Sequence, residues 1–275
     1  MTEKKKVVVA MSGGVDSTLT ARLLQEAGYD VYGATMNQFD GQDLTEAQEM
    51  ADFLGIPHKV IDVRKMYQDV VLSYFVDSYK NGITPNPCMM CDFKIKFGFF
   101  YDTVRAYFDC PYFATGHYAR ITYDGTRGKY QVEKAADIAK DQSYMMYHLT
   151  QDQLAHILFG QRKGLGIAAR TPLYVVSLHA RKNRVIVGSN DDLFRSGLLA
   201  NELDFTDGTP PSQQFRCLAK IRYGIRVHDC TVTLDDHGRA VVKFDEPQRA
   251  ITPGQSVVFY EEDRLLGGGT IMKAL

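Results

Sequence analysis

Val7-Val8-Val9-Ala10-Met11-Ser12-Gly13-Gly14-Val15-Asp16-Ser17 is an apolar, β-branched run that stops at Ser-Gly-Gly and resumes as a helical pattern. An unbroken apolar run of this kind suits a strand buried on both faces. Gly13 and Gly14 let the chain turn and its backbone approach a ligand, while Ser12, Ser17 and the first N–H groups of the following helix are donors for an anion. The stretch reads as strand, phosphate loop and helix, and points to a nucleotide-using enzyme.

Outward from this loop, Leu19, Leu23 and Leu24 keep helical spacing as far as Gly28, which is placed to cap the helix. Val31 to Met36 predicts a second strand, Glu46 to Leu54 a helix closed by Gly55-Ile56-Pro57, and His58 to Val63 a third strand. Strands alternating with helices predict an α/β parallel sheet, whose ligands bind beyond the carboxyl ends of the strands, where Ser12 and Met36 fall. Met66 to Tyr79 reads as a helix with its aromatic residues in the core, as does Phe93 to Phe108.

Pro85 and Pro87 exclude regular helix at the start of Ile83-Thr84-Pro85-Asn86-Pro87-Cys88-Met89-Met90-Cys91-Asp92. The expectation is a rigid loop presenting Cys91 at the N-terminus of a helix that carries Lys94, Ile95, Lys96 and Phe97. A helix N-terminus and two lysines both favour a thiolate. Tyr112 to His117 predicts a further buried strand ending in a functional turn. From about Pro172 the pattern becomes short alternating runs, Leu173–Leu178, Arg184–Gly188, Cys217–Arg222, Cys230–Leu234, Ala240–Phe244 and Ser256–Tyr260, with turns at Asp207-Gly208, His237-Gly238 and Pro253-Gly254. These predict a small β-barrel.

The 275 residues suffice for one large domain or two moderate ones, and the net charge of -1 means that any nucleic-acid contact must come from local basic clusters. No apolar run approaches the roughly 18 residues of a membrane span, and Lys4-Lys5-Lys6 leads straight into a strand, so a cytoplasmic protein without a membrane partner is expected. Of five cysteines, only Cys88 and Cys91 form a close pair, a spacing suited to redox, sulfur or metal chemistry. Cys110, Cys217 and Cys230 read as buried structural thiols. His58, His148, His156, His179, His228 and His237 share no metal spacing with a carboxylate or cysteine cluster, so no metal-ligating set is predicted. Arg162, Lys163, Arg170, Arg181, Lys182 and Arg184 are either a solvated face or an RNA-backbone contact.

The loop lacks the Gly-Lys-Ser/Thr ending of the Walker motif and the spaced glycines of the dinucleotide fingerprint. It resembles instead the PP-loop, Ser-Gly-Gly-x-Asp-Ser, in which ATP is cleaved between its α- and β-phosphates, leaving AMP on a substrate oxygen and releasing pyrophosphate. Ser12–Ser17, Thr84-Pro-Asn-Pro87, Cys91-Asp-x-x-Ile-Lys-Phe97, Ala114-Thr-Gly-His-Tyr118, Lys140-Asp-Gln-Ser-Tyr144, Gln161-Arg-Lys-Gly-Leu-Gly166 and Thr252-Pro-Gly-Gln255 follow one another as in the bacterial tRNA-specific 2-thiouridylases, which the chain resembles over nearly its whole length.

That resemblance implies a PP-loop (adenine nucleotide alpha hydrolase-like) domain over 1–160, a truncated connector over 161–200, and a tRNA-contacting β-barrel over 201–275. It implies an ATP- and Mg²⁺-dependent tRNA-uridine 2-sulfurtransferase in which adenylation of the C2 oxygen precedes sulfur transfer. A persulfide donor protein, a relay or a cysteine desulfurase, would supply the sulfur. Carried over residue by residue, ATP falls on Ala10, Met11, Ser12, Gly13, Gly14, Val15, Asp16, Ser17, Met36 and Gly116. The target base falls against Asn86, Pro87 and Cys88 with His117 nearby. tRNA falls on Lys140, Asp141, Gln142, Arg222, Tyr223 and Gln255. Cys91 becomes the catalytic cysteine, and Asp16 is expected to be needed for ATP turnover. Asp92 stands where the family usually has asparagine.

Between Phe159 and Gln161 a long family segment is missing, and with it the second catalytic cysteine, because no cysteine lies between Cys110 and Cys217. Three readings stay open. Cys88 replaces the missing thiol; or Cys88 and Cys91 hold an iron–sulfur cluster, which usually wants a third thiolate; or thiolation is lost and a tRNA-binding relative remains.

Overall fold

The computed structural model describes residues 4–159, 174–179, 184–188, 193–224 and 226–275. The chain divides into two compact units: Met1–Leu72, Cys88–Ser143 and Leu149–Lys163 form one, and Ser73–Pro87, Tyr144–His148 and Gly164–Leu275 form the other.

In the first unit, β1 (Lys6–Ala10), β2 (Asp30–Asn37), β3 (His58–Asp62), β4 (Tyr112–Thr115) and β7 (Ile157–Phe159) make a five-stranded parallel sheet in the order β3-β2-β1-β4-β7. The central position of β1 follows from its sequence: Val7, Val8 and Val9 are completely buried, which only an inner strand covered on both faces permits. Helix α1 (Val15–Glu26) leaves the end of β1, and α2 (Thr45–Leu54) ends at Gly55 in the left-handed conformation, as a helix stop requires. β5 (Ala119–Asp124) and β6 (Lys129–Lys134) add an antiparallel hairpin.

The stretch predicted as one helix from Met66 to Tyr79 is three pieces: α3 (Arg64–Met66), a wider π-type segment Tyr67–Leu72, and α4 (Ser73–Lys80). Its aromatics are not core. Phe75 is 39% exposed and Tyr79 52%, and they pack edge-to-face on each other at 5.0 Å. The sequence from Pro87 to Phe108 is helical on either side of a break at Gly98, as α5 (Pro87–Met90), a wider segment Cys91–Phe100 and α6 (Tyr101–Phe108). Here the core expectation holds for Phe97, Phe100 and Tyr101. Gly98 breaks the helical geometry, and the Phe97 carbonyl next to the break accepts a 2.6 Å hydrogen bond from Gln153 Nε2. The other end of the Gln153 amide accepts from the Thr150 N–H, closing the capping box of α7 (Gln151–His156).

In the second unit, β10 (Phe194–Phe205), β11 (Gln214–Lys220), β12 (His228–Leu234), β13 (Ala240–Arg249), β14 (Ser256–Glu261) and β15 (Arg264–Ala274) form an antiparallel barrel in the order β10-β13-β12-β11-β14-β15. It closes through β10–β15 pairing, Leu198 opposite Ala274 and Phe205 opposite Gly267, so no sheet edge is left open. Leu198, Val232, Val242, Val257, Phe259 and Ile271 fill its interior. β8 (Tyr174–His179) and β9 (Arg184–Gly188) form an antiparallel pair. The predicted motif Gln161–Gly166 and the basic residues Arg162, Lys163, Arg170, Arg181 and Lys182 lie outside the described residues.

Candidate active site

The loop after β1 is shaped by its own small side chains. The Ser12 N–H donates to Ser17 Oγ at 3.2 Å, Ser17 Oγ donates to the Gly14 carbonyl at 3.1 Å, and the two serine hydroxyls lie 3.3 Å apart. Gly13 has φ +81°, and a Cβ there would fall 2.7 Å from Glu46 Cβ and 2.9 Å from the Ala47 nitrogen, so any side chain would displace α2. From below, Thr35 Oγ1 donates to the Met11 carbonyl at 2.8 Å and lies 2.8 Å from His58 Nε2.

This loop borders a cavity of about 250 Å³ at the carboxyl ends of β1, β2 and β4. Of the residues expected around ATP, Ala10, Met11, Ser12, Asp16, Ser17, Met36 and Gly116 line it, Gly13 and Gly14 belong to the loop itself, and Val15 opens α1 outside the lining. His117 and Gln142, expected at the RNA, line the same cavity. Sequence reasoning missed Thr115 and Tyr118, and it treated Lys96 only as a neighbour of Cys91. Tyr118 donates its hydroxyl to Asp16 Oδ1 at 2.5 Å and, through its backbone, exchanges bonds of 2.9 and 2.8 Å with Gln142.

A buried polar group forms one wall. Asp92, 5% exposed, pairs with Lys96 one helical turn later, and Lys96 Nζ lies 3.4 Å from His117 Nε2. His117 Nδ1 is 2.7 Å from Thr115 Oγ1. Burial, reinforced by the Lys96 charge and opposed by Asp92, holds the imidazole down at about 4. The wall is therefore the Asp92–Lys96 ion pair beside a histidine that is neutral at neutral pH. Asp92 supplies the counter-charge for the half-buried Lys96 ammonium, which gives up part of its solvation there.

Cys91 does not sit where a helix dipole would activate it. The helix starts at Pro87, a favoured first-turn residue, so Cys88 occupies the first turn and Cys91 lies beyond it. Burial pushes the Cys91 thiol up to about 11, against the pull of Lys96; Lys94 is exposed, its ammonium 4.0 Å from the centre of the Phe93 ring. The expected thiolate is thus overturned for the free protein, because desolvation outweighs one nearby cation. Cys91 Sγ accepts from Gln38 Nε2 at 3.6 Å, a partner that no motif announced. Cys88 is exposed.

Asp141 is 4% exposed and accepts from the Ala135 N–H at 2.9 Å and from Ser143 Oγ at 3.0 Å, so its carboxylate organises its own turn. Lys140 lies over the Tyr118 ring at 5.3 Å. In the barrel unit, Arg222 and Tyr223 line a second cavity of about 390 Å³ together with Arg226, His228 and Arg249. Burial and the two neighbouring guanidinium groups lower the Arg222 pKa, the signature of concentrated positive charge that an anion would relieve. The Asn86 N–H donates to the Tyr74 hydroxyl at 3.0 Å, and the Gln255 amide donates to two carbonyls of the same loop.

The residues present fit Mg²⁺ on a polyphosphate, since Asp16 supplies a carboxylate at the cavity and this ion is commonly held by one or two carboxylates plus phosphate oxygens. They do not fit an iron–sulfur cluster. Among the described residues no three His, Cys, Asp or Glu side chains converge, and Cys110 lies at the opposite, amino end of β4, where its thiol donates to the Tyr112 carbonyl.

A parallel sheet with a Ser-Gly-Gly-x-Asp-Ser loop opening onto a cavity at its carboxyl ends defines a PP-loop ATP-using protein. Residues 5–164 match the family model described as a tRNA methyl transferase HUP domain, 157–189 its PRC-barrel domain, and 195–271 an aminomethyltransferase beta-barrel domain. The chain is 36% identical to tRNA-specific 2-thiouridylase MnmA 1 of Thermoanaerobacter pseudethanolicus, over 98% of this chain and 99% of that protein. It is 33% identical to the MnmA of Clostridioides difficile over 98% and 99%. The chain belongs to the tRNA-specific 2-thiouridylase family. The first alignment runs over 361 positions against 275 residues here, so a block of the relative has no counterpart in this chain. A solved structure described as a predicted subunit of tRNA methyltransferase from Methanocaldococcus jannaschii matches 42% of this chain and 53% of its own, at 24% identity and a TM-score of 0.31.

Proposed function

We propose that this protein is an ATP-dependent tRNA-uridine 2-sulfurtransferase acting on the wobble uridine, with Cys88 and Cys91 as its two sulfur-handling thiols. The observation that carries this reading is that Cys91 and Lys96 share one helical segment, so the cysteine turn and the wall of the ATP cavity are joined by five residues.

In the first step the uracil C2 oxygen attacks the α-phosphorus of ATP; the bond to the β-phosphate oxygen breaks and pyrophosphate leaves with its electron pair. The loop N–H groups, Ser12, Ser17 and the Lys96 ammonium meet the charge on the phosphates, and Mg²⁺ held by Asp16 would neutralise part of it. In the second step the terminal sulfur of a cysteine persulfide attacks C2 and AMP departs with the C2–O pair. The other cysteine, as thiolate, then attacks the carrier sulfur and breaks the S–S bond. This leaves 2-thiouridine and a Cys88–Cys91 disulfide, which an external thiol reductant reopens. The exposed Cys88 suits reception of sulfur from a donor protein, and the half-buried Cys91 suits resolution. Three-residue spacing on a helical turn keeps their Cα atoms within disulfide range. Arg222, Tyr223 and Arg226 supply an RNA-binding surface on the barrel, and Lys140 a further cation.

The test is mass spectrometry of nucleosides from unmodified tRNA incubated with ATP, Mg²⁺, a persulfide donor and reductant. 2-Thiouridine is expected with the wild type and with neither Cys88→Ser nor Cys91→Ser. A wild type that binds tRNA and ATP without thiolation under any donor identifies instead a binding relative.

A further inference from the structure

Tyr118 is locked in place by the segments on either side of it. Just before it, Gly116 lies so close to the start of α1 that a Cβ there would fall 2.9 Å from the Ser17 nitrogen and 3.2 Å from Asp16 Cβ. Its own backbone is paired twice with Gln142: the Tyr118 N–H donates to Gln142 Oε1 at 2.9 Å, and the Gln142 N–H donates to the Tyr118 carbonyl at 2.8 Å. The turn that carries Gln142 is held by the buried Asp141 carboxylate, which accepts from the Ala135 and Ser143 N–H groups at 2.9 and 3.2 Å. Tyr118 itself is buried.

Asp16 has the opposite character. It is exposed in the first turn of α1, so no packing selects the rotation of its carboxylate. Among the described residues that carboxylate accepts one hydrogen bond, from the Tyr118 hydroxyl to Oδ1 at 2.5 Å. A rigid donor thus orients a solvent-facing acceptor and occupies one of its two oxygens. We infer that Tyr118 is a positioning residue for Asp16: its hydroxyl fixes the carboxylate at the cavity and leaves Oδ2 as the oxygen offered to Mg²⁺ on a bound polyphosphate. Groups that orient a metal ligand in this way are commonly worth about 10- to 100-fold in metal affinity. The inference rests on the reading of Asp16 as the carboxylate that holds the ion.

Isothermal titration of the full chain with α,β-methylene-ATP, which cannot be split between its α- and β-phosphates, reads the ion without turnover. In the wild type Mg²⁺ tightens binding of this analogue. In Tyr118→Phe, which keeps the ring and both bonds to Gln142, that gain should shrink about tenfold. Affinity for the analogue without Mg²⁺, and for tRNA, should be unchanged. Pyrophosphate release by the variant should need about tenfold more Mg²⁺ for half its maximum and return to the wild-type rate at saturating Mg²⁺. A Mg²⁺ gain equal to that of the wild type, or a rate lowered equally at every Mg²⁺ concentration, would overturn the inference. Asp16→Ala tests the reading beneath it. If that variant keeps the Mg²⁺ gain, or the wild type has none, Asp16 does not hold the ion and the inference goes with it; loss in Asp16→Ala alone strikes the role of Tyr118 and leaves the ligand in place. The titrations need no thiolated base, so they decide the role of Tyr118 separately from the proposed sulfur transfer.

Discussion

Two pairs of cysteines in this chain lie close together, and they differ in their exposure. Cys217 and Cys230 are directly opposed across β11 and β12, 3.6 Å apart and sealed in the barrel core. Their mutual hydrogen bond and burial drive the Cys217 pKa strongly upward, so the pair behaves as two small apolar side chains. Cys88 and Cys91 lie on one helical turn, with Cys88 exposed and Cys91 half-buried beside Lys96. Proximity of sulfur atoms is therefore not what distinguishes a reactive pair. Access is: Cys88 is open to solvent, whereas the barrel interior seals both of its thiols.

The contrast is broken most directly by serine substitution. Cys91→Ser should lower 2-thiouridine formation by at least about a thousandfold, as expected for loss of a covalent nucleophile, whereas Cys217→Ser and Cys230→Ser should leave it within about twofold. A thiolation loss from either barrel variant at unchanged fold would overturn the division. Next in size, Lys96→Ala should reduce pyrophosphate release by about a hundredfold, the scale of one charge-stabilising group. The same change strands the buried Asp92 carboxylate, so the Lys96→Ala, Asp92→Asn double variant should recover thermal stability without recovering turnover.

Alkylation sharpens the same comparison. At pH 7 iodoacetamide should modify Cys88 first, Cys91 slowly, and Cys217 and Cys230 only after unfolding. The Cys91 rate should rise with pH toward a midpoint near 11, and Lys96→Ala should move that midpoint higher, because the lysine favours the thiolate. Equal labelling of Cys88 and Cys91 at neutral pH would contradict the burial argument. A smaller effect concerns His117, held at about 4 in the fold against 6.5 as its ordinary value. The unfolded chain takes up this proton first as pH falls, so the stability contributed by the neutral imidazole is complete above 6.5 and lost progressively down to 4. Urea midpoints measured from pH 7 to 4.5 should fall, and less steeply in His117→Gln. Smallest of all, Cys217→Ala should cost about 1 kcal/mol of stability with no change in the pH profile of thiolation.

Much of the site was legible because it is local. Ser12, Gly13, Gly14, Asp16 and Ser17 are consecutive or nearly so, and a buried strand before a helix fixes where such a loop must point. Four of the six short strands read from alternation fall in the barrel, the other two form the separate β8–β9 pair, and β10 and β15 escaped. β15 contains Gly267-Gly268-Gly269, and in the barrel a Cβ at Gly267 would fall 2.2 Å from the Asp204 oxygen, so the glycines mark close strand approach. Tyr118 and Gln38 were invisible as site residues because each reaches its partner, Asp16 and Cys91, across strands or loops far apart in sequence.

The sequence by itself determined the strand–loop–helix that binds phosphate, the alternation that makes a parallel sheet, and the absence of a cysteine between Cys110 and Cys217. These depend on neighbours along the chain, where spacing and backbone chemistry suffice. The tertiary structure alone decided the protonation of Cys91 and His117, the placement of His117 against Lys96 at the cavity wall, and the engagement of Gln255 with the Thr84–Pro85 carbonyls. Each of those depends on desolvation or on a contact between distant segments, and a one-dimensional pattern carries neither.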